Sequence, residues 1–133
     1  MPDNNIKNIS ELQFKRALEM LNIVPDLIEL GAYNTAINRA YYAVFHSMKA
    51  IEVFDEYDSK KHSGVISFFR KNYIKTGIFD SELSDIIKAL QMQREDSDYN
   101  IIAEFNIDDA KDAYEKAKLF VTAVEKYLNE KIG

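Results

Sequence analysis

The sequence predicts an all-α fold, a five-helix up-and-down antiparallel bundle, on three observations. Only 4 Gly and 2 Pro occur in 133 residues, too few for the many tight reversals of a β-sandwich or barrel. Apolar residues return at helical spacing in five separate stretches. The connections between those stretches are short, which favours up-and-down neighbours over crossovers running the length of a bundle. The length is one domain's worth, so residues 1–133 read as a single helical domain with 1–9 as a flexible polar lead.

The first helix is expected over about residues 10–30. Ser10 and Gln13 form a capping-box pattern, and Leu12, Leu18, Leu21, Val24, Leu27 and Ile28 keep returning to one side as far as Gly31. Pro25 removes a backbone donor inside it, so a kink or break is expected in its last two turns. Asn34 caps a second helix whose buried stripe is Ile37, Ala40, Tyr41, Val44, Phe45, Met48 and Ile51, fading by Asp55. Ser59 opens a third helix of about residues 60–75, ended by Gly77. Asp80 or Ser81 caps a fourth with Leu83, Ile86, Ile87, Leu90 and Arg94 in register. Asn106 with Asp109 opens a fifth, whose apolar face is Ala110, Ala113, Tyr114, Ala117, Phe120, Val124 and Leu128.

Composition narrows the chemistry. The absence of Cys removes disulfide frameworks, thiolate catalysis and Cys-ligated zinc, and agrees with a reducing cytoplasm. Apolar runs are only a few residues long and the first ten residues are polar, so neither a membrane span nor a signal peptide is expected. A net charge of −5 argues against a general electrostatic binder of nucleic acid but leaves room for one local basic site. There is no HExxH-like spacing and no Gly-rich phosphate loop, so no metal or cofactor is expected.

Three features carry potential chemistry. Residues 59–79 hold Lys60, Lys61, Arg70, Lys71 and Lys75 with no acid. With His62 beside Lys61 at a helix start, this reads either as a contact for phosphate or an acidic partner, or as a solvated face balancing acidic neighbours. Arg94 extends an apolar stripe, so its charge needs a partner, and Asp98 stands one turn on. That pair reads as a structural ion pair or as part of a site. Arg39, Tyr42 and His46 share one flank of the second helix, and a His there is either a proton-transfer group or a hydrogen-bonded packing residue.

In order, the segments GAYNTAINRAYYAVFHSMKAI (31–51), KKHSGVISFFRKNYIKTGIFD (60–80) and REDSDYN (94–100), followed by a long final helix, resemble the small stand-alone prokaryotic HEPN proteins (higher eukaryotes and prokaryotes nucleotide-binding). The resemblance implies a homodimeric helical bundle, often encoded beside a minimal nucleotidyltransferase in a toxin–antitoxin pair. It implies a metal-independent RNase site where an Arg is followed, after four to six residues, by a His. Arg94 matches the Arg, but Tyr99, Asn100 and Ile101 stand where the His would be. A Tyr with an ordinary pKa near 10 does not replace imidazole at neutral pH, so full RNase activity of the usual kind is not expected. Arg39 and His46 have a similar spacing but lie on the second helix, away from the motif's position. In some relatives a Tyr just past the motif His accepts AMP, and Tyr99 lies in the comparable neighbourhood.

The expected function is that of a partnered binding component. Arg94, Asp98 and Tyr99, with Lys61, His62, Arg39, Tyr42 and His46 as further binding candidates, would face RNA, a nucleotide or the nucleotidyltransferase in a dimer cleft. The alternatives are a ribonuclease in which His62 or His46 joins Arg94 as the catalytic imidazole, and a purely structural interaction bundle.

Overall fold

The computed structural model describes residues 4–99 and 104–132. Asn100 and Ile101, two of the positions compared with the RNase motif, therefore lie outside the described residues, as do residues 1–3 of the polar lead. Five α-helices form the fold: α1 (Asn4–Glu29), α2 (Tyr33–Glu52), α3 (His62–Phe69), α4 (Glu82–Tyr99) and α5 (Ile107–Ile132). A 3₁₀ turn, Val53–Asp55, follows α2, and a π-helical turn, Arg70–Ile74, extends α3. There is no strand among the described residues.

The second helix is the spine, packed against the other four. Its predicted stripe, from Ile37 through Tyr41 and Phe45 to Ile51, is buried throughout. Ala36, Ala40, Ala43 and Ala50 are also fully buried, and their small side chains let neighbouring backbones approach closely. Cross-helix bonds fix the directions. Ser10 Oγ donates to the Ala50 carbonyl at 2.7 Å, and Gln13 Oε1 lies 3.0 Å from His46 Nδ1, so α1 runs antiparallel to α2. Asn38 reaches Asp98 and Tyr42 reaches Arg94, so α4 also runs antiparallel to α2.

The short α3 is the exception to this alternation. It begins with His62 against Tyr41, halfway along α2, while Tyr73 at its far end donates to Asp55 just past the end of α2. Residues 53–61 therefore double back along α2. Tyr57 stacks on Phe68 with ring centroids 3.9 Å apart, and its hydroxyl donates to the Gly64 carbonyl at 3.3 Å. This strap delivers His62 to the middle of the spine.

Several terminal signals act as expected. Asp80 Oδ1 accepts from the Glu82 amide at 2.8 Å, and Asn106 and Asp109 cap each other's backbone N–H groups at 2.9 and 3.0 Å. Gly31, at φ 78°, ends α1 with amide bonds from Gly31 to Ile28 and from Ala32 to Leu27, the Schellman pattern.

Other expectations are corrected. Ser10 is not a cap: α1 starts at Asn4, so residues 4–9 of the lead are helical, and Ser10 is buried in its interior. Leu12 is 65% exposed, because the buried set is Ser10, Ala17, Leu21, Val24 and Ile28, and nine residues from Leu12 to Leu21 turn half a circle past whole turns. The helix is unbroken through Pro25. Ala32, not Asn34, holds the N-cap position of α2. The third helix begins at His62 rather than 60, with Ser59 Oγ accepting from the Lys61 amide at 3.1 Å.

Candidate functional site

Where α4 ends against the first half of α2, a guanidinium is ringed by tyrosines. The side chain of Arg94 is only 16% exposed. Its charge centre lies 5.4 Å from the ring centroid of Tyr41 and 5.6 Å from those of Tyr42 and Tyr99. Two of these rings come from consecutive residues of α2 and the third from the last turn of α4. Arg94 Nη2 donates to the Tyr42 hydroxyl at 3.1 Å. Burial opposes the charge, but Tyr42, Tyr99, Asp98 and Tyr41 outweigh it, so the guanidinium titrates above its ordinary range.

Asp98 is the ionic partner. Its Oδ2 stands 2.9 Å from Arg94 Nε, yet off the line of the N–H bond, so this buried donor has no in-line acceptor among the described residues. Asn38 Nδ2 lies 3.2 Å from each Asp98 oxygen, while the Ser97 hydroxyl donates to the Arg94 carbonyl at 3.0 Å and stands 3.4 Å from Oδ1. Outside the ring, Arg94, Glu95, Asp96 and Tyr99 line an open dish of about 510 Å³. Tyr99 is 74% exposed there.

His62 arrives from α3 at the same tyrosines. Its Nδ1 and the Tyr41 hydroxyl share a 2.9 Å hydrogen bond, and its ring stacks on Phe45 with centroids 4.3 Å apart. It also meets the Tyr42 ring edge-on at 5.7 Å. Burial, then the charges of Arg94 and Lys49, push its pKa below the usual histidine value, which keeps the ring neutral. Burial raises the Tyr41 hydroxyl to about 12, with Arg94 pulling down and Tyr42 and Glu95 pushing up, so it remains a proton-bearing donor.

The structure thus brings together Arg94, Asp98, Tyr99, Tyr42 and His62. His46 touches the edge of this group through the Tyr42 ring, 6.3 Å away, but bonds to Gln13 of α1. Burial and the cations Arg16 and Lys49 lower its pKa to about 4, the state of a neutral packing histidine. No bond or ring contact ties Arg39 or the Lys61 side chain to the group among the described residues, and Lys61 is exposed. In the basic stretch, Arg70 is committed to α4 by bonds from Nε and Nη2 to Ser84 at 3.0 and 3.3 Å. Lys60, Lys61, Lys71 and Lys75 face solvent.

Two members escaped the sequence reading. Tyr41 was assigned only to the core stripe, although a hydroxyl on a buried stripe must find a partner. Asn38 lies one turn before Tyr42 on α2, and only the packing of α4 reveals its role. Among the described residues no group of three or more potential metal-ligating side chains occurs, and no helix is long and apolar enough to cross a membrane.

Residues 10–127 match the family model for the HEPN domain. A protein of Methanocaldococcus jannaschii named "Putative toxin MJ0142" is 34% identical, over 92% of this chain and 89% of its own length. A UPF0332 protein of Thermotoga maritima is 32% identical over 96% of each chain. Another, from Archaeoglobus fulgidus, is 31% identical over 90% of this chain and 95% of its own.

Proposed function

Because the chain belongs to the HEPN domain family, we propose that it is the HEPN component of a toxin–antitoxin or nucleotidyltransferase-partnered system. In this reading it is a cytoplasmic homodimer that binds a phosphate of RNA or a nucleotide at Arg94 and presents Tyr99 to the partner enzyme. The observation that carries it is the guanidinium itself, preorganised among Tyr41, Tyr42 and Tyr99 beside an open dish. A planar guanidinium suits phosphate oxygens, and the exposed Tyr99 ring offers a surface on which a base can stack. Similarity to a protein named as a toxin supports the toxin–antitoxin setting.

The direct test is binding of a fluorescent single-stranded RNA by the purified protein and by Arg94→Ala. Removing a charge-assisted phosphate contact is expected to weaken binding about tenfold or more. Unchanged affinity in the variant would remove the reading. Co-expression with a neighbouring nucleotidyltransferase should add AMP to Tyr99, seen by intact mass and absent from Tyr99→Phe.

One observation favours a second reading, ribonuclease activity. His62, with its pKa lowered toward the proton-accepting form, shares both tyrosines with Arg94. In this reading Arg94 stabilises the developing charge on phosphate and His62 moves the proton, without a metal. RNA cleavage lost in both Arg94→Ala and His62→Ala would support it; cleavage surviving both would exclude this site.

A further inference from the structure

The guanidinium proposed to hold phosphate already has an anion beside it. Asp98 Oδ2 sits 2.9 Å from Arg94 Nε, and the carboxylate is held there by Asn38 from α2, which lies 3.2 Å from both of its oxygens. A neighbouring helix thus fixes one acidic side chain against the guanidinium. Glu95 and Asp96 add two further carboxylates on the same helix end, lining the dish with Arg94. A phosphate approaching this end of α4 meets three carboxylates and one guanidinium. In a chain with net charge −5, no excess of positive charge overall offsets them.

The fit between Asp98 and Arg94 is also incomplete. Among the described residues Nε is buried without an in-line acceptor, although the carboxylate is within ionic distance. A phosphate oxygen aligned with that N–H would make the charge-assisted hydrogen bond that Asp98 does not. The occupant is therefore exchangeable: attractive enough to neutralise the site, too poorly aligned to satisfy it.

We propose that Asp98 is a built-in stand-in for phosphate, held by Asn38, which keeps the Arg94 site closed until a phosphate-bearing ligand displaces it. This deepens the proposed function and rests on its assignment of Arg94 to phosphate. Asp98 is then a residue that sets the affinity of the site, and Asn38 its catch on the spine helix.

The test compares the wild-type chain with Asp98→Asn, which keeps size and removes charge, and with Asp98→Ala should the first variant fail to fold by circular dichroism. Glu130→Gln, an exposed position near the end of α5, controls for the change in net charge. Titrations use 5′-AMP and a single-stranded RNA oligonucleotide without a terminal phosphate. Loss of Asp98 is expected to tighten binding about three- to tenfold while Glu130→Gln does not. Tightening of AMP alone would assign the site to a terminal phosphate, and tightening of RNA alone to an internal phosphodiester. If the wild type binds and Arg94→Ala does not, but loss of Asp98 leaves affinity unchanged or weaker, the stand-in is overturned and the phosphate site survives. If neither the wild type nor the Asp98 variants bind either probe, both readings fall.

Discussion

Two titratable side chains on α2, half-buried His46 and buried Glu52, pull the stability of this protein in opposite directions with pH. His46 has its pKa lowered from 6.5 to about 4, so between those values the unfolded chain binds more protons than the folded one. Its contribution to stability is complete above about pH 6.5 and is lost as pH falls toward 4. Glu52, only 1% exposed and with Oε2 unpartnered, is the reverse: burial lifts its pKa from 4.5 to about 9, against the pull of Lys49 and with the push of Asp55. Its contribution is complete below 4.5 and lost as pH rises toward 9. Replacing it by Gln removes a group that must hold its proton to stay buried. Glu52→Gln should raise stability at pH 8 by about 2 kcal/mol and flatten the alkaline side of a melting-temperature profile. Tyr41→Phe leaves His62 Nδ1 without its donor and should cost about 1 kcal/mol in denaturant unfolding. The charge of Arg94 and its spacing to Asp98 were legible as an ion pair because a helix turn is a local rule. Asn38 and Tyr41 were not legible as partners of Arg94 and His62, since α2, α3 and α4 each deliver part of the group and no local period relates them.

Among the elements, the one least visible in the sequence is the one that carries His62. The strap 53–61 lies so close over α3 that a Cβ added at Gly64 would run into Ser59 Oγ and stand 2.9 Å from Ser59 Cβ and 3.1 Å from the Tyr57 hydroxyl. Gly64→Ala should therefore force the strap outward, lowering stability by about 1–3 kcal/mol. It should also shift the His62 ring resonances in a proton NMR spectrum; an unchanged spectrum would mean that the strap does not position that ring. Periodicity found α2 because its stripe is apolar along its whole length, and the Asn106–Asp109 and Asp80 caps were found because their chemistry is confined to one turn. The start of α1 was missed for the opposite reason. Ser10 has the residue type of a cap, but the carbonyl it bonds belongs to Ala50, forty residues away. Nor does any local signal announce the π-helical turn at Arg70–Ile74, where Tyr73 turns its hydroxyl to Asp55.

At the scale of the molecule, a single helix serves both stability and site. The same α2 that buries the apolar stripe supplies Asn38, Tyr41 and Tyr42 to the cluster around Arg94, so truncations in its core should disturb both. Met48→Ala, at a fully buried position, is expected to cost about 2–5 kcal/mol. If the homodimer proposed here seats the cleft of Arg94, Asp98 and Tyr99 at its seam, sedimentation analysis should find a dimer whose dissociation constant rises when residues around the α4 dish are changed. The chain has 8 tyrosines and no tryptophan, and three of those rings surround one guanidinium. Occupancy there can be followed without any label, because a change in contact with the cation alters the near-ultraviolet absorption and emission of phenol rings that no indole signal overlays.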